Sequence, residues 1–156
     1  MVVRHFTVTG FVVHEGRTLL HWHPKVKMWL PPGGHIEANE DPVQAVIREI
    51  EEETGVQSKV VSTGPIIDMG YPTQVVAPYT IMIEDIDDPV QGFHHHIDMI
   101  YFCRPTSSPG PIYEGWQWVA RQSLKDGLAM PNGQGDNVPP PEDVRLLASR
   151  AFELIS

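Results

Sequence analysis

The stretch of sequence that decides the fold is GHIEANEDPVQAVIREIEEETGV, residues 34–56. Its middle carries the signals of a helix. Asp41 suits the N-cap, and Gln44, three residues later, completes a capping-box pattern. Gly55 supplies the left-handed residue with which helices commonly end. These signals predict a helix over residues 42–54.

Acidic residues are concentrated in this stretch, with seven of the 20 in the chain between positions 37 and 53. Four of them crowd the C-terminal end of the predicted helix, where the helix dipole disfavours anions. At about 100° per residue, Glu49, Glu52 and Glu53 fall on one face. Mg²⁺ would neutralise such a stripe, because it prefers a few carboxylates together with waters and phosphates. A solvated, glutamate-rich helix surface is the alternative interpretation.

The spacing of particular residues in this stretch favours the metal site. It resembles the Nudix box, Gly-x5-Glu-x7-Arg-Glu-U-x-Glu-Glu-x-Gly-U with U an aliphatic residue, at every specified position. The matching residues are, in order, Gly34, Glu40, Arg48, Glu49, Ile50, Glu52, Glu53, Gly55 and Val56.

The resemblance implies an α+β fold, a Nudix-like α/β/α sandwich with a mixed β-sheet and a loop-helix-loop metal site. One domain over residues 1–156 is expected. The implied activity is hydrolysis of a pyrophosphate bond in a nucleoside diphosphate linked to another group. Mg²⁺ is the implied cofactor, and Mn²⁺ is the alternative ion.

The resemblance also assigns roles to single residues. The family's metal ligands carry over onto the carboxylates of Glu49, Glu52 and Glu53, and the carbonyl of Gly33 just before the box is a further candidate. Arg48 matches the arginine that fixes a glutamate by ion pairing, for which its forked guanidinium is suited.

The general base stays open between three carboxylates. Either Glu52 or Glu53 could act on water, since each would stand beside the metal. Glu114 resembles a later acid that takes this role in some family members, and an ordinary loop residue is its alternative interpretation. Glu40 matches the outer glutamate of the box.

Substrate contacts are predicted near the loop that precedes the box. Lys25, Lys27 and Arg17 are the basic candidates for phosphate contacts, with solvated surface positions as the alternative. Trp29 or Tyr71 could stack on a base, although a tryptophan in this position also suits packing.

Two further features have weaker functional interpretations. A zinc site in the run of residues 94–96 is disfavoured, because neighbours in a strand point to opposite faces and the spacing is not that of a zinc motif. These histidines are expected at the start of a strand. Cys103 is expected in the core, since no basic partner is evident.

Composition restricts the partners. The 156 residues include 11 Lys and Arg against 20 Asp and Glu, a formal net charge of −9 with histidine neutral. Nucleic acids and anionic membranes need basic side chains to meet their phosphates, and the chain has no basic run. We expect a small nucleoside diphosphate derivative as partner, with no nucleic-acid polymer and no membrane, and leave a homodimer open.

A cytoplasmic location is expected for two reasons. The lone Cys103 makes an internal disulfide impossible, which is compatible with a reducing compartment. The first six residues lack the regions of a signal peptide.

The rest of the chain predicts a sheet, a short helix and a terminal helix. Gly and Pro supply 13 and 15 residues, which predicts many loops. An opening hairpin is expected, then strands, a loop and a terminal amphipathic helix. The expected ranges are strands 6–14, 17–22, 57–67, 74–83, 95–104 and 116–119, a short helix within 121–127, a loop at 128–141 and a helix at 142–154.

Two other classes of function compete with the hydrolase. One is a catalytically inactive Nudix-fold domain that binds a nucleotide-type ligand as a sensor, against which the intact glutamates argue. The other is an acidic interaction protein, which does not explain the spacing of Gly34, Arg48 and Gly55. Nucleoside triphosphates, ADP-ribose, dinucleoside polyphosphates and nucleotide sugars all stay open as substrates.

Overall fold

The computed structural model describes residues 1–155, which form ten strands and three helices. The elements are β1 Arg4–His14, β2 Arg17–His23, β3 Met28–Leu30, β4 Gly33–His35, α1 Pro42–Thr54, β5 Ser58–Val60, β6 Thr80–Asp88, β7 Gly92–Pro105, β8 Trp116–Ala120, α2 Arg121–Lys125, β9 Met130–Pro131, β10 Asn137–Val138 and α3 Glu142–Leu154.

The long strand β1 organises a mixed sheet. Residues 4–12 pair in parallel with β7, and residues 7–9 pair antiparallel with β4 on the other edge of β1. Beyond them, β1 turns into the predicted hairpin with β2, and β2 in turn pairs with β3 and β8. The far edge of β7 pairs with β6 and β5.

Helix α1 begins and ends where its capping signals predict. The Asp41 carboxylate accepts a hydrogen bond from Gln44 N, and the Gln44 side chain accepts one from Asp41 N. Gly55 follows the helix with φ 78°. The buried side chains of Val46 and Ile50 pack with β1 and β7 on one face of the sheet.

Helix α3 covers the opposite face. Its buried face includes Val144, Ala148 and Phe152, which pack with Phe11 of β1 and Phe102 of β7. Helices therefore lie on both faces of a mixed sheet, and the predicted α/β/α sandwich is confirmed. The one-domain prediction over residues 1–156 stays a prediction, and its last residue lies outside the described part.

Two predicted strands have different bounds. The strand expected over 57–67 is limited to Ser58–Val60, and the one expected over 74–83 begins at Thr80 and runs to Asp88. Most of the chain between them is irregular and rich in proline, which supplies no backbone donor to a sheet. The expected loop at 128–141 contains the two short strands β9 and β10, which pair with each other.

The histidine run lies inside a strand and not at its start. Strand β7 begins at Gly92, two residues before His94, and this part of it already pairs with the end of β6, where Gly92 lies opposite Asp88. Within residues 1–155, no helix is long and apolar enough to cross a membrane.

Candidate active site

The glutamates of α1 meet strand β4 at a pair of glycines. Gly33 N donates a 3.0 Å hydrogen bond to Glu53 Oε1. The Glu49 carboxylate lies so close to Gly34 that a Cβ at position 34 would stand 2.5 Å from its carboxyl carbon. Glycine at both positions therefore lets the backbone of β4 approach the acidic face of the helix.

Arg48 connects the acidic side chains to one another. Its Nε and Nη2 donate to the two oxygens of Glu40 at 2.7 and 2.9 Å, a bidentate pair. Its Nη1 donates to Glu49 Oε1 at 2.9 Å and to Glu52 Oε2 at 3.1 Å, and Nη2 also donates to the His35 carbonyl at 3.1 Å. These bonds from Arg48 hold the pKa of Glu40 below its usual range. One guanidinium thus orients three carboxylates.

Glu53 is left without a cationic partner among the described residues. Burial raises the pKa of Glu53 to about 7, and the charges of Glu49 and Glu52 act in the same direction, while the hydrogen bond from Gly33 N opposes them. Burial and two neighbouring carboxylates both shift a carboxyl towards its neutral acid, and a bound cation would favour the charged form again. The donor set of three carboxylates therefore fits a hard divalent cation such as Mg²⁺.

A cavity of about 360 Å³ opens beside Glu53. Gly33, Gly34 and Glu53 line it at one side, and β1, β6 and β7 supply its floor. The volume is that of a small-molecule site.

The floor of this cavity carries a pair of acids. The buried Asp98 accepts hydrogen bonds from Thr7 Oγ1 at 3.1 Å and from Thr9 Oγ1 at 2.7 Å. Burial raises the pKa of the neighbouring Glu84, and the charge of Asp98 raises it further. A proton on Glu84 is therefore donated to Asp98, and the remaining oxygens of the pair are hydrogen-bond acceptors.

Comparison with known proteins identifies the family. The family model of the NUDIX domain matches residues 3–139. The chain belongs to the Nudix hydrolase family. A Nudix-family hydrolase from Clostridium perfringens has a similar structure, with a TM-score of 0.75 and 33% identity over 98% of this chain and 99% of that one.

Curated Nudix relatives match over shorter regions. A probable DHNTP pyrophosphohydrolase of Lactococcus lactis subsp. cremoris (strain MG1363) is 30% identical over 95 residues, 61% of this chain and 51% of that protein. The m7GpppN-mRNA hydrolase NUDT17 of Xenopus laevis is 49% identical over 35 residues, 22% of this chain and 12% of that protein. The matches thus span about half or less of the curated relatives' own length.

Of the predicted substrate residues, some line the cavity beside Glu53 and others do not. Lys25 lines it. Within the described chain, Arg17 and Lys27 are not among the lining residues, because Arg17 lies at the β1–β2 turn and Lys27 in the turn before β3. Trp29 is only 3% exposed, and its indole N–H donates to the Val138 carbonyl at 2.9 Å. It packs in the core and presents no ring face to a base.

Two further candidates, Glu114 and Tyr71, lie on loops. The loop of Glu114 is attached to the end of helix α1, since Tyr113 N donates to the Thr54 carbonyl at 3.1 Å. Glu114 itself is exposed and does not line the described cavity. Tyr71 is 88% exposed.

The sequence does not predict the residues that form the floor of the cavity. It predicts no site role for Glu84 or Asp98. It disfavours a metal at residues 94–96 because neighbours in a strand point to opposite faces and the spacing is not that of a zinc motif. The alternation of a strand supplies the missing signal, because His94, His96 and Asp98 are spaced two apart and share a face.

Proposed function

We propose that this protein hydrolyses a pyrophosphate bond in a nucleoside diphosphate linked to another group, with Mg²⁺ or Mn²⁺ as cofactor. Glu49, Glu52 and Glu53, with the Gly33 carbonyl, would hold the ion. When bound, such an ion neutralises phosphate charge and lowers the pKa of a coordinated water.

The observation that carries this proposal is the position of Glu53. Its carboxyl lines the cavity and lacks a cationic partner among the described side chains. It accepts a hydrogen bond from Gly33 N, while Glu49 lies against the neighbouring Gly34. A cation held there would lie beside the phosphates of a ligand in the cavity. A solvated acidic surface would not require glutamates at a cavity wall.

Arg48 acts in this proposal as a positioning residue. Its bonds to Glu40 fix the guanidinium, and its Nη1 then holds Glu49 and Glu52. Lysine could not make the bidentate pair. Lys25, at the cavity wall, is the favoured contact for a phosphate oxygen.

The base is proposed among Glu52, Glu53 and Glu114. Glu52 is 60% exposed and so reaches solvent, whereas Glu53 borders the cavity. Glu114 lies on the loop tied to the end of α1. Activity of Glu114→Gln tests that residue separately, because glutamine at Glu52 or Glu53 would also remove a proposed metal ligand.

The test measures phosphate and nucleotide release from a panel of substrates with Mg²⁺. The panel contains nucleoside triphosphates, ADP-ribose, dinucleoside polyphosphates, nucleotide sugars and DHNTP, the last because of the name of the Lactococcus relative. Glu52→Gln and Glu53→Gln should lose activity by about 100-fold or more. Glu51→Gln is the matched control, since Glu51 is exposed on the same helix and outside the acidic face.

Two results would contradict the proposal. Full turnover in both Glu52→Gln and Glu53→Gln would remove these residues from catalysis. Tight binding of a diphosphate ligand by the wild type without hydrolysis would favour the sensor.

We also propose that the protein forms a homodimer and that it is located in the cytoplasm. Strand β6 is paired on one side only among the described residues, and it exposes Ile81 by 54% and Ile83 by 56%. An exposed apolar edge strand favours association with a second strand. Light scattering of the purified protein measures the oligomeric state, and imaging of a tagged chain the location.

A further inference from the structure

Four histidines from three strands cluster at one end of the cavity floor. His5 lies opposite His96 in the parallel β1–β7 ladder, and His94 is two residues before His96 and so shares its face. His35 belongs to β4, which pairs with the other edge of β1. The ring centres of His5 and His35 are 5.2 Å apart, and those of His5 and His94 are 5.0 Å apart.

The ring nitrogens of three of these histidines lie close enough together to share one ion. One ring nitrogen each of His5, His94 and His96 lies within 4.8 Å of the other two. Nitrogens bound to tetrahedral Zn²⁺ at about 2.0–2.1 Å stand about 3.3 Å from each other. His94 Nε2 and His96 Nε2 are 3.2 Å apart, and His5 Nδ1 and His35 Nε2 are 3.3 Å apart.

The backbone sets the tautomer of the most buried histidine. His94, which is 4% exposed, has its Nδ1 3.0 Å from the Gly92 carbonyl oxygen. A carbonyl only accepts, so Nδ1 carries the proton and the lone pair of neutral His94 lies on Nε2, facing His96. Metal-bound histidines commonly donate their second ring N–H to a carbonyl in this way.

The surroundings of His96 favour its neutral imidazole. Burial lowers the pKa of His96 to about 4, and His35, His94 and His5 lower it further. Only neutral imidazole has a lone pair for a metal. Protonation therefore competes little with a metal at His96 near neutral pH.

We propose that His5, His94 and His96 form a second metal site, which binds one transition-metal ion of the Zn²⁺ class, with His35 as the fourth ligand. Imidazole nitrogen suits Zn²⁺, Ni²⁺ and Cu²⁺, whereas Mg²⁺ prefers oxygen. The site thus differs in chemistry from the glutamates of α1 and does not depend on their being catalytic. His94 and His96 also line the cavity, so an ion there adds positive charge to the wall that faces the ligand.

The first test is a calorimetric titration of chelator-stripped protein with Zn²⁺ in excess Mg²⁺. The wild type and the triple variant Glu49→Gln, Glu52→Gln, Glu53→Gln should each bind one equivalent. Absence of binding in the wild type, or its loss in the triple variant, would overturn the proposal.

The second test is substitution of the cluster residues. His96→Ala and His5→Ala should each weaken Zn²⁺ binding by at least about 10-fold. His95→Ala is the matched control, because His95 is in the same strand on the opposite face, beside Asp85. Equal affinities in all three variants would contradict the assignment, and circular dichroism checks that each variant folds.

A third measurement needs no variant. Cu²⁺ bound to the wild-type protein in excess Mg²⁺ should give an electron paramagnetic resonance spectrum with splitting from several nitrogen ligands. A spectrum from oxygen ligands alone would place the ion elsewhere.

Discussion

Gly34→Ala tests directly whether the contact between β4 and the acidic helix holds a metal site. The new Cβ would stand 2.5 Å from the carboxyl carbon of Glu49, and it would meet the end of a flexible side chain and not the backbone. We therefore expect the Glu49 carboxylate to move while the fold persists. The melting temperature should change by only a few degrees.

The size of the displacement follows from contact distances. Carbon atoms in contact stand about 3.5–4.0 Å apart, so the Glu49 carboxylate must retreat by about 1–1.5 Å. Mg²⁺ holds its oxygens at about 2.0–2.1 Å in near-ideal octahedral geometry, which leaves little tolerance for such a shift. A misplacement of about 1 Å can cost about 100-fold in rate. We expect at least a 10-fold loss of metal affinity by the same reasoning.

The assay is a Mn²⁺ titration monitored by electron paramagnetic resonance, which needs no knowledge of the substrate, with turnover on the substrate panel as the second measurement. Gly64→Ala is the control, since a Cβ at that position meets nothing within 4 Å. Wild-type Mn²⁺ affinity in folded Gly34→Ala would refute the placement of the ion beside Glu49.

Gly33→Ala should act differently, because a Cβ at this neighbouring position would collide with the Val8 carbonyl oxygen and would stand 3.1 Å from Thr9 Cα. Backbone atoms cannot rotate away, so the pairing of β4 with β1 has to open. We expect a clear loss of stability in thermal unfolding, and an unchanged melting temperature would contradict the packing described for β4.

Further predictions concern charge, capping and burial. Arg48→Lys should lower the free energy of unfolding by about 1–3 kcal/mol through lost charged hydrogen bonds, whereas Arg150→Lys, in an exposed pair, should change it by less than about 0.5 kcal/mol; urea titration measures both. Asp41→Ala should cost about 0.5–2 kcal/mol by removing the N-cap, and a cost near zero would contradict the observed cap. Burial raises the pKa of the Cys103 thiol, so it should react with a disulfide reagent only after unfolding; rapid labelling of native protein would disagree with its burial. The pKa of Glu84 is raised to about 8, so ionisation of this acid opposes folding. Below the ordinary glutamate pKa of about 4.3 the group is protonated in both states and costs nothing. As the pH rises from there to about 8, Glu84 lowers the free energy of unfolding progressively. Melting temperatures of the wild type and Glu84→Gln should therefore diverge over that pH range, and parallel curves would be the contrary result.

Local signals account for what the sequence predicts well. The bounds of α1 follow from Asp41, Gln44 and Gly55, which act on the backbone within one turn. The box spacing locates the acidic face, and the arrangement of Glu49 and Glu53 around β4 agrees with it.

Long-range pairing accounts for what the sequence does not predict. The cavity floor depends on the register that sets Thr7 beside Asp98, and no local pattern encodes it. Trp29 lies beside the box in the sequence, yet it is buried, and its indole N–H is bonded to the carbonyl of Val138, 109 residues away. The irregular chain between β5 and β6 lacks the periodicity that would set its strand bounds.

The parallel pairing of β1 with β7 has a consequence for how the site is assembled. It joins residues 91 apart in the chain, as in the hydrogen bond from Thr7 to Asp98, and parallel strands need such a long crossover connection. A fragment that stops before residue 92 would contain the whole box and every candidate metal glutamate, yet it would lack β7, the strand between β1 and β6 in the cavity floor. During synthesis, the glutamates of the box are therefore made well before the strand that completes the cavity.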